Sequence, residues 1–143
     1  MGLLSRFRRR PPPLVAFDPA DPSLVVLVEA FEAARADSAV LAEAAGRGVD
    51  LTRPLLLRHH LVGLPDEPAV ARATELLAQD GYAVRLASSG APLAVHASRT
   101  QVLTALSASQ ERSRMAGLAQ RLGGDVAGWD ALGTGSLTPG LDV

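Results

Sequence analysis

A chain of 143 residues has room for one hydrophobic core and is short for two. Apolar residues make up 48% of it, which excludes a disordered chain, while aromatics are only 3%, so Leu, Val and Ala must fill the core. A formal charge of -1 excludes a global field that would draw the chain onto nucleic acid, and the lack of Cys excludes disulfides, thiolate zinc sites and cysteine nucleophiles. All 14 basic residues are Arg, so Schiff-base chemistry and a Walker-type lysine are excluded too; a GC-rich coding genome accounts for the bias.

Residues 1–20 read as a basic, Pro-rich tail without fixed structure. Arg6, Arg8, Arg9 and Arg10 give it the charge of a signal-peptide start, but no apolar run of sufficient length follows, so a cytoplasmic location is expected. Leu3, Leu4 and Phe7 can share one side of a short helix ringed by arginines, which offers a weak membrane or polyanion contact as an alternative. Residues 21–51 read as a helical extension. Asp21 and Pro22 suit an N-cap and first helical position, and Leu24, Val28, Phe31, Val40 and Leu41 supply apolar anchors from Ser23 to about Ala45. Asp37-Ser38 can cap a second helix, and Gly46 and Gly48 end it. Glu29, Glu32, Arg35 and Asp37 interrupt the apolar run well before a bilayer could be spanned, so no stable membrane insertion is expected.

From Thr52 the hydrophobic period changes to two. Leu55 to Val62 is a strand with Leu55, Leu57, His59 and Leu61 on one face and Leu56, Arg58, His60 and Val62 on the other. Asp66 or Glu67 opens a helix carrying Val70, Ala73 and Leu77, which Gly81 stops. Tyr82 to Ala87 and Leu93 to Ser98 alternate as two further strands around Ser88-Ser-Gly-Ala-Pro. Thr100 can cap a longer helix with Val102, Leu106, Met115, Leu118 and Leu122, ended by Gly123-Gly124. Asp125 to Asp130 is a last short strand, and residues 133–143 form a flexible tail. The order β-α-β-β-α-β over 52–132 predicts an α+β, ferredoxin-like split βαβ domain whose helices cover one sheet face. Residues 1–20 and 133–143 are expected to be dispensable for folding.

On this reading the open sheet face carries Arg58, His60, Arg85 and His96. Such a face suits contact with a partner; direct RNA binding is the alternative, although no strand presents an aromatic residue outward for base stacking. His59 and His60 point to opposite faces and so cannot clamp a metal together, and His59 is expected to be a hydrogen-bonded core histidine. No nucleophile elbow, HExxH or Walker loop occurs, and neither a catalyst nor a cofactor is expected.

The segment Gly123-Gly124-Asp125-Val126-Ala127-Gly128-Trp129, following a long helix, resembles the ending of the RraB-like family, the regulators of ribonuclease activity B. Asp66 to Tyr82, an acid-capped helix closing on Gly81-Tyr82, is similar to that family's first helix and second strand. The resemblance spans about Thr52 to Ala131 and departs at Val126-Ala127, where the family often has Tyr-Asp. It implies a non-catalytic protein that inhibits ribonuclease E by protein contact. The contact residues expected on this basis are Gly124, Asp125, Gly128, Trp129 and Asp130, together with Arg58, His60, Arg85 and His96. Trp129 also suits packing of the last strand onto the core edge, with Gly128 needed for a bulge or a close backbone approach; the two roles are compatible.

Overall fold

The computed structural model describes residues 15–88 and 90–135. Five strands and three helices follow in the order β1 (Leu24–Ala30), α1 (Asp37–Gly46), β2 (Leu55–Leu64), α2 (Glu67–Ala78), β3 (Ala83–Leu86), β4 (Leu93–Gln101), α3 (Ala105–Arg121) and β5 (Asp125–Thr134). The strands form one sheet in the order β1-β5-β2-β4-β3, and every neighbouring pair is antiparallel. The protein is therefore α+β.

The period-two pattern of β2 sorts its side chains as expected. Leu57 and Leu61 are buried under the helices, and the alternate residues Arg58 and His60 face the other way, toward Asp130 of β5. One cluster joins Leu61, Val95 and Ala97 of the sheet to Ala73 and Leu77 of α2 and Met115 and Leu118 of α3. A second joins Val28, Leu57, Trp129 and Ala131 to Val40, Leu41 and Ala44 of α1 and Ala108 of α3. All three helices thus pack on the same face, and the long α3 belongs to both clusters. Asp66 is the N-cap of α2 and accepts a 3.0 Å hydrogen bond from the Ala69 N–H, which satisfies a donor the first helical turn cannot. Gly81 closes that unit with φ 84°, in the left-handed region.

The N-terminal helix expected from Ser23 is instead a strand. Asp21 accepts from the N–H and hydroxyl of Ser23 and makes a turn, after which Leu24 to Ala30 pairs with Thr134 to Trp129 of β5. Leu, Val and Ala are compatible with either period, so the deciding term is the ladder offered by the free side of β5, together with three valines that suit a pleat. Helix begins only at Asp37, after the Ala36 N-cap.

Two further boundaries move for the same reason. Thr100 does not cap α3: it pairs with Leu56 inside β4, and the cap is Thr104, whose side chain accepts from Ser107 N–H while the Ser107 side chain accepts from Thr104 N–H. Strand β5 does not stop at Asp130, because Gly133 and Thr134 pair with Val25 and Leu24 of β1, the strand that stands in place of the expected helix. The suggested helix at Leu3, Leu4 and Phe7, most of the basic tail and residues 136–143 lie outside the described residues. The end of the tail is described, and it touches the domain: Phe17 N–H donates to Thr100 Oγ1 at 2.9 Å, and Arg85 donates to Pro19 O at 2.8 Å.

Candidate partner-contact face

The closing motif is a set of backbone and packing solutions. Gly128 sits at φ 144°, and a Cβ there would lie 2.3 Å from Ala30 O and 2.7 Å from the Phe31 ring. The register between β2 and β5 shifts beside it, from His60↔Gly128 to Leu61↔Val126, so both the bulge and the close approach expected of Gly128 are present. Gly124 is excluded from bearing a side chain because its Cβ would lie 2.5 Å from Val62 O. Trp129 is 0% exposed, and its indole N–H donates to Asp37 Oδ1 at 3.1 Å. Asp37 is itself buried and held by two nitrogens of Arg112. Gly124, Gly128 and Trp129 therefore shape the domain and offer no side-chain surface to a partner. Asp125, next to Gly124 at the start of β5, is exposed.

Arg58, His60, His96, Arg85 and Asp130 come together on the face that no helix covers among the described residues. Arg58 grips Asp130 with two prongs, Nε to Oδ1 at 2.9 Å and Nη2 to Oδ2 at 2.7 Å. His60 Nε2 lies 2.9 Å from Asp130 Oδ1, and since a carboxylate only accepts, that nitrogen carries the proton. Burial alone would raise the Asp130 carboxyl, but the hydrogen bonds from His60 and Arg58 outweigh it and hold the group below its ordinary value. His60 and His96 are cross-strand partners with ring centroids 4.3 Å apart. Burial, and then the fields of His60 and Arg58, pull His96 down to about 4, so it is neutral at pH 7.

Sequence reading missed one member of this face. Phe31 meets His60 edge-on at 4.9 Å, filling the space that Gly128 leaves. Its signal was its place one residue beyond an alternating Val-rich run, which the helical reading of that run concealed.

On the opposite, helix-covered face, His59 is buried as expected but not hydrogen-bonded. Among the described residues neither ring nitrogen has a hydrogen-bond partner, and Nε2 stops 3.5 Å from Glu111 Oε1. Glu111 accepts from Tyr82 Oη and Gln101 Nε2, each at 2.8 Å, and Arg99 lies over the Tyr82 ring. Burial raises the Glu111 carboxyl, but the imidazole of His59 close by, the hydrogen bonds from Gln101 and Tyr82 and the charge of Arg99 pull it down to about 2. Burial and the same carboxylate push the Tyr82 hydroxyl well above its ordinary value. Among the described residues no group of three or more acidic or histidine side chains is placed to hold a metal ion, and no helix is long and apolar enough to cross a membrane.

These features define a small α+β domain in which the distinctive closing residues build the fold and one sheet face displays an ordered polar cluster. The family described as Regulator of ribonuclease activity B, RraB, matches residues 34–131, and the chain belongs to that family. The match begins ahead of β2 and takes in α1, whose Asp37 holds Trp129. No curated protein matches the chain.

Proposed function

We propose that this protein is a non-catalytic, cytoplasmic regulator that lowers the activity of a ribonuclease E-type endoribonuclease by protein contact through its open sheet face. The observation that carries the reading is the family match over 34–131, a family of ribonuclease regulators. The fold supports the choice of surface: the Gly-Trp ending is consumed in packing, whereas Arg58, His60, Arg85, His96 and Asp130 share a face that no helix of the described residues covers. The core is read as a ferredoxin-like split βαβ unit, supported by the order β5-β2-β4-β3 and by α2 and α3 on one face. The domain is taken to run from β1 to Thr134, because β1 completes the sheet beside β5.

Cleavage of a labelled RNA by the host enzyme, measured against increasing protein, tests this directly. Inhibition that Asp130→Ala or Arg58→Ala weakens, with folding verified by circular dichroism, supports the reading. No binding and no inhibition at tens of micromolar corresponds to affinity weaker than about -6 to -7 kcal/mol and abandons it.

Direct RNA binding gains one observation from the structure, since Phe31, His60 and His96 form the aromatic row that the strands alone did not promise. Against it stands Asp130 on the same face. Gel shifts with generic RNA decide, because binding through phosphate contacts must weaken steeply with salt.

A further inference from the structure

Leu56 and Leu132 belong to neither helix-covered cluster, yet they are only 2% and 7% exposed. They pair with each other across β2 and β5, and Leu56 pairs on its other side with Thr100 of β4. The chain segment fastened at Thr100, the pair partner of Leu56, comes from before β1. Phe17 N–H is bonded to Thr100 Oγ1, and Pro19 O receives the Arg85 guanidinium, so residues 17–19 are fastened to two open-face side chains at 2.9 and 2.8 Å. Phe17 and Pro19 are partly buried although no helix of the described residues covers this side, while Val15, Ala16, Asp18 and Ala20 are exposed. The segment has no helix or strand of its own and is held by few bonds, which is the condition for local release at low cost.

We propose that the open face is a docking site for an extended peptide, that residues 15–20 occupy it in cis, and that an aromatic-bearing, extended segment of the partner protein binds by taking their place. This rests on the reading of the face as the partner-contact surface and adds how that contact is regulated. The cis segment shows what the site accepts. Thr100 offers an acceptor to a backbone N–H, Arg85 offers a donor to a backbone carbonyl two residues further on, and Leu56, paired with Thr100, supplies apolar ground beside the first anchor. Backbone groups are what both anchors read, so a partner strand of different sequence can satisfy them, with the partly buried position of Phe17 setting the demand for a large apolar side chain. Tethering keeps the cis segment at high effective concentration, so the intact chain resists a free competitor until the segment is loosened.

The test uses the full-length chain. Phe17→Pro removes both the N–H donor and the ring without altering the sheet, and a fluorescent peptide of residues 15–21 is titrated against this variant and against wild type. The expected result is saturable binding to the variant at least about tenfold tighter than to wild type, consistent with loss of a tethered competitor. The variant should also inhibit the ribonuclease at correspondingly lower concentration. Because the natural chain has no Cys, Phe17→Cys with Thr100→Cys makes a reversible lock. The oxidised form should fail to bind the ribonuclease, and reduction should raise binding above that of the oxidised form, though not to the wild-type level because the Thr100 acceptor is lost. Absence of peptide binding to Phe17→Pro overturns the proposal whatever the ribonuclease does, and so does measurable ribonuclease binding that is equal in the oxidised and reduced lock. Self-association of Phe17→Pro in place of peptide binding assigns the face to a second copy and overturns the partner assignment. If the peptide binds but no form touches the ribonuclease, the docking face stands and the ribonuclease reading falls.

Discussion

Trp129 and Asp37, 92 positions apart in the chain, meet in the core through a hydrogen bond from the indole N–H to a carboxylate that Arg112 also grips. The bond ties β5 to α1 and α3 at once, and it makes the tryptophan of the closing motif an internal strut. Asp37→Ala leaves a buried indole donor and a partly buried guanidinium without an acceptor, so it should cost about 2 to 3 kcal/mol. Trp129→Ala should cost roughly 3 to 5 kcal/mol through the cavity it opens. Urea unfolding measures both. A Trp129→Ala protein as stable as wild type would show that the residue is not the strut described here.

Gly128 should be intolerant of any side chain. Alanine there would clash with the Ala30 carbonyl and adopt a backbone conformation that L-residues avoid, so Gly128→Ala is expected to cost about 2 kcal/mol or more. Gly46 provides the contrast. It lies in α1 with nothing within 4 Å of where a methyl group would sit, and Gly46→Ala should be neutral or stabilising by about 0.4 to 1 kcal/mol. Similar melting temperatures for the two variants would refute the assignment of the bulge.

Truncation separates the ends of the chain that look alike in sequence. Removing residues 133–143 should destabilise the domain, because Gly133 and Thr134 are rungs of the β1·β5 ladder. Removing only 136–143 should leave the transition nearly unchanged. Thermal unfolding of the two truncations, followed by circular dichroism, checks this, and an equal response in both would mean that the β1·β5 ladder contributes nothing at its end.

The parts of the fold legible in the sequence are those fixed by local signals. Asp66 caps α2 because a short acceptor three residues before Ala69 N–H can do so without help from the rest of the chain. The alternation in β2 places Arg58 and His60 opposite Leu57 and Leu61, and with it most of the polar face. What escapes depends on partners far away in sequence. Leu24 to Ala30 satisfies helical and extended patterns alike until β5 is available to pair with it, and once that strand is misread, Phe31 cannot be placed beside His60. Asp37 reads as a helix-start residue, and only the folded chain brings Trp129 and Arg112 to it. His59 is legible as buried; that its Nε2 stops short of Glu111 is a matter of tenths of an ångström that no pattern encodes.

Acid should unfold the protein in two stages set by His96 and Glu111. The unfolded chain takes up a proton on His96 near its ordinary value of 6.5, whereas the folded chain resists until about 4. Stability is therefore fully present above about pH 6.5 and falls as pH drops toward 4, because the unfolded state binds more protons in that window. Glu111 acts lower down. Its carboxyl titrates at 4.5 when unfolded and at about 2 when folded, so the stability it contributes above 4.5 is lost between 4.5 and 2. Asp130, held below its ordinary value by His60 and Arg58, adds to the same acid limb. Urea midpoints measured from pH 8 to pH 3 should slope downward from about 6.5 and steepen below 4.5. His96→Gln should flatten the upper segment only, and Glu111→Gln should flatten the lower one only. A His96→Gln protein with the wild-type slope between pH 6.5 and 4.5 would show that this imidazole is not held neutral by burial on the open face. Both half-buried sites exchange with solvent more readily than core groups, so the change in slope, rather than the absolute midpoint, is the quantity that discriminates.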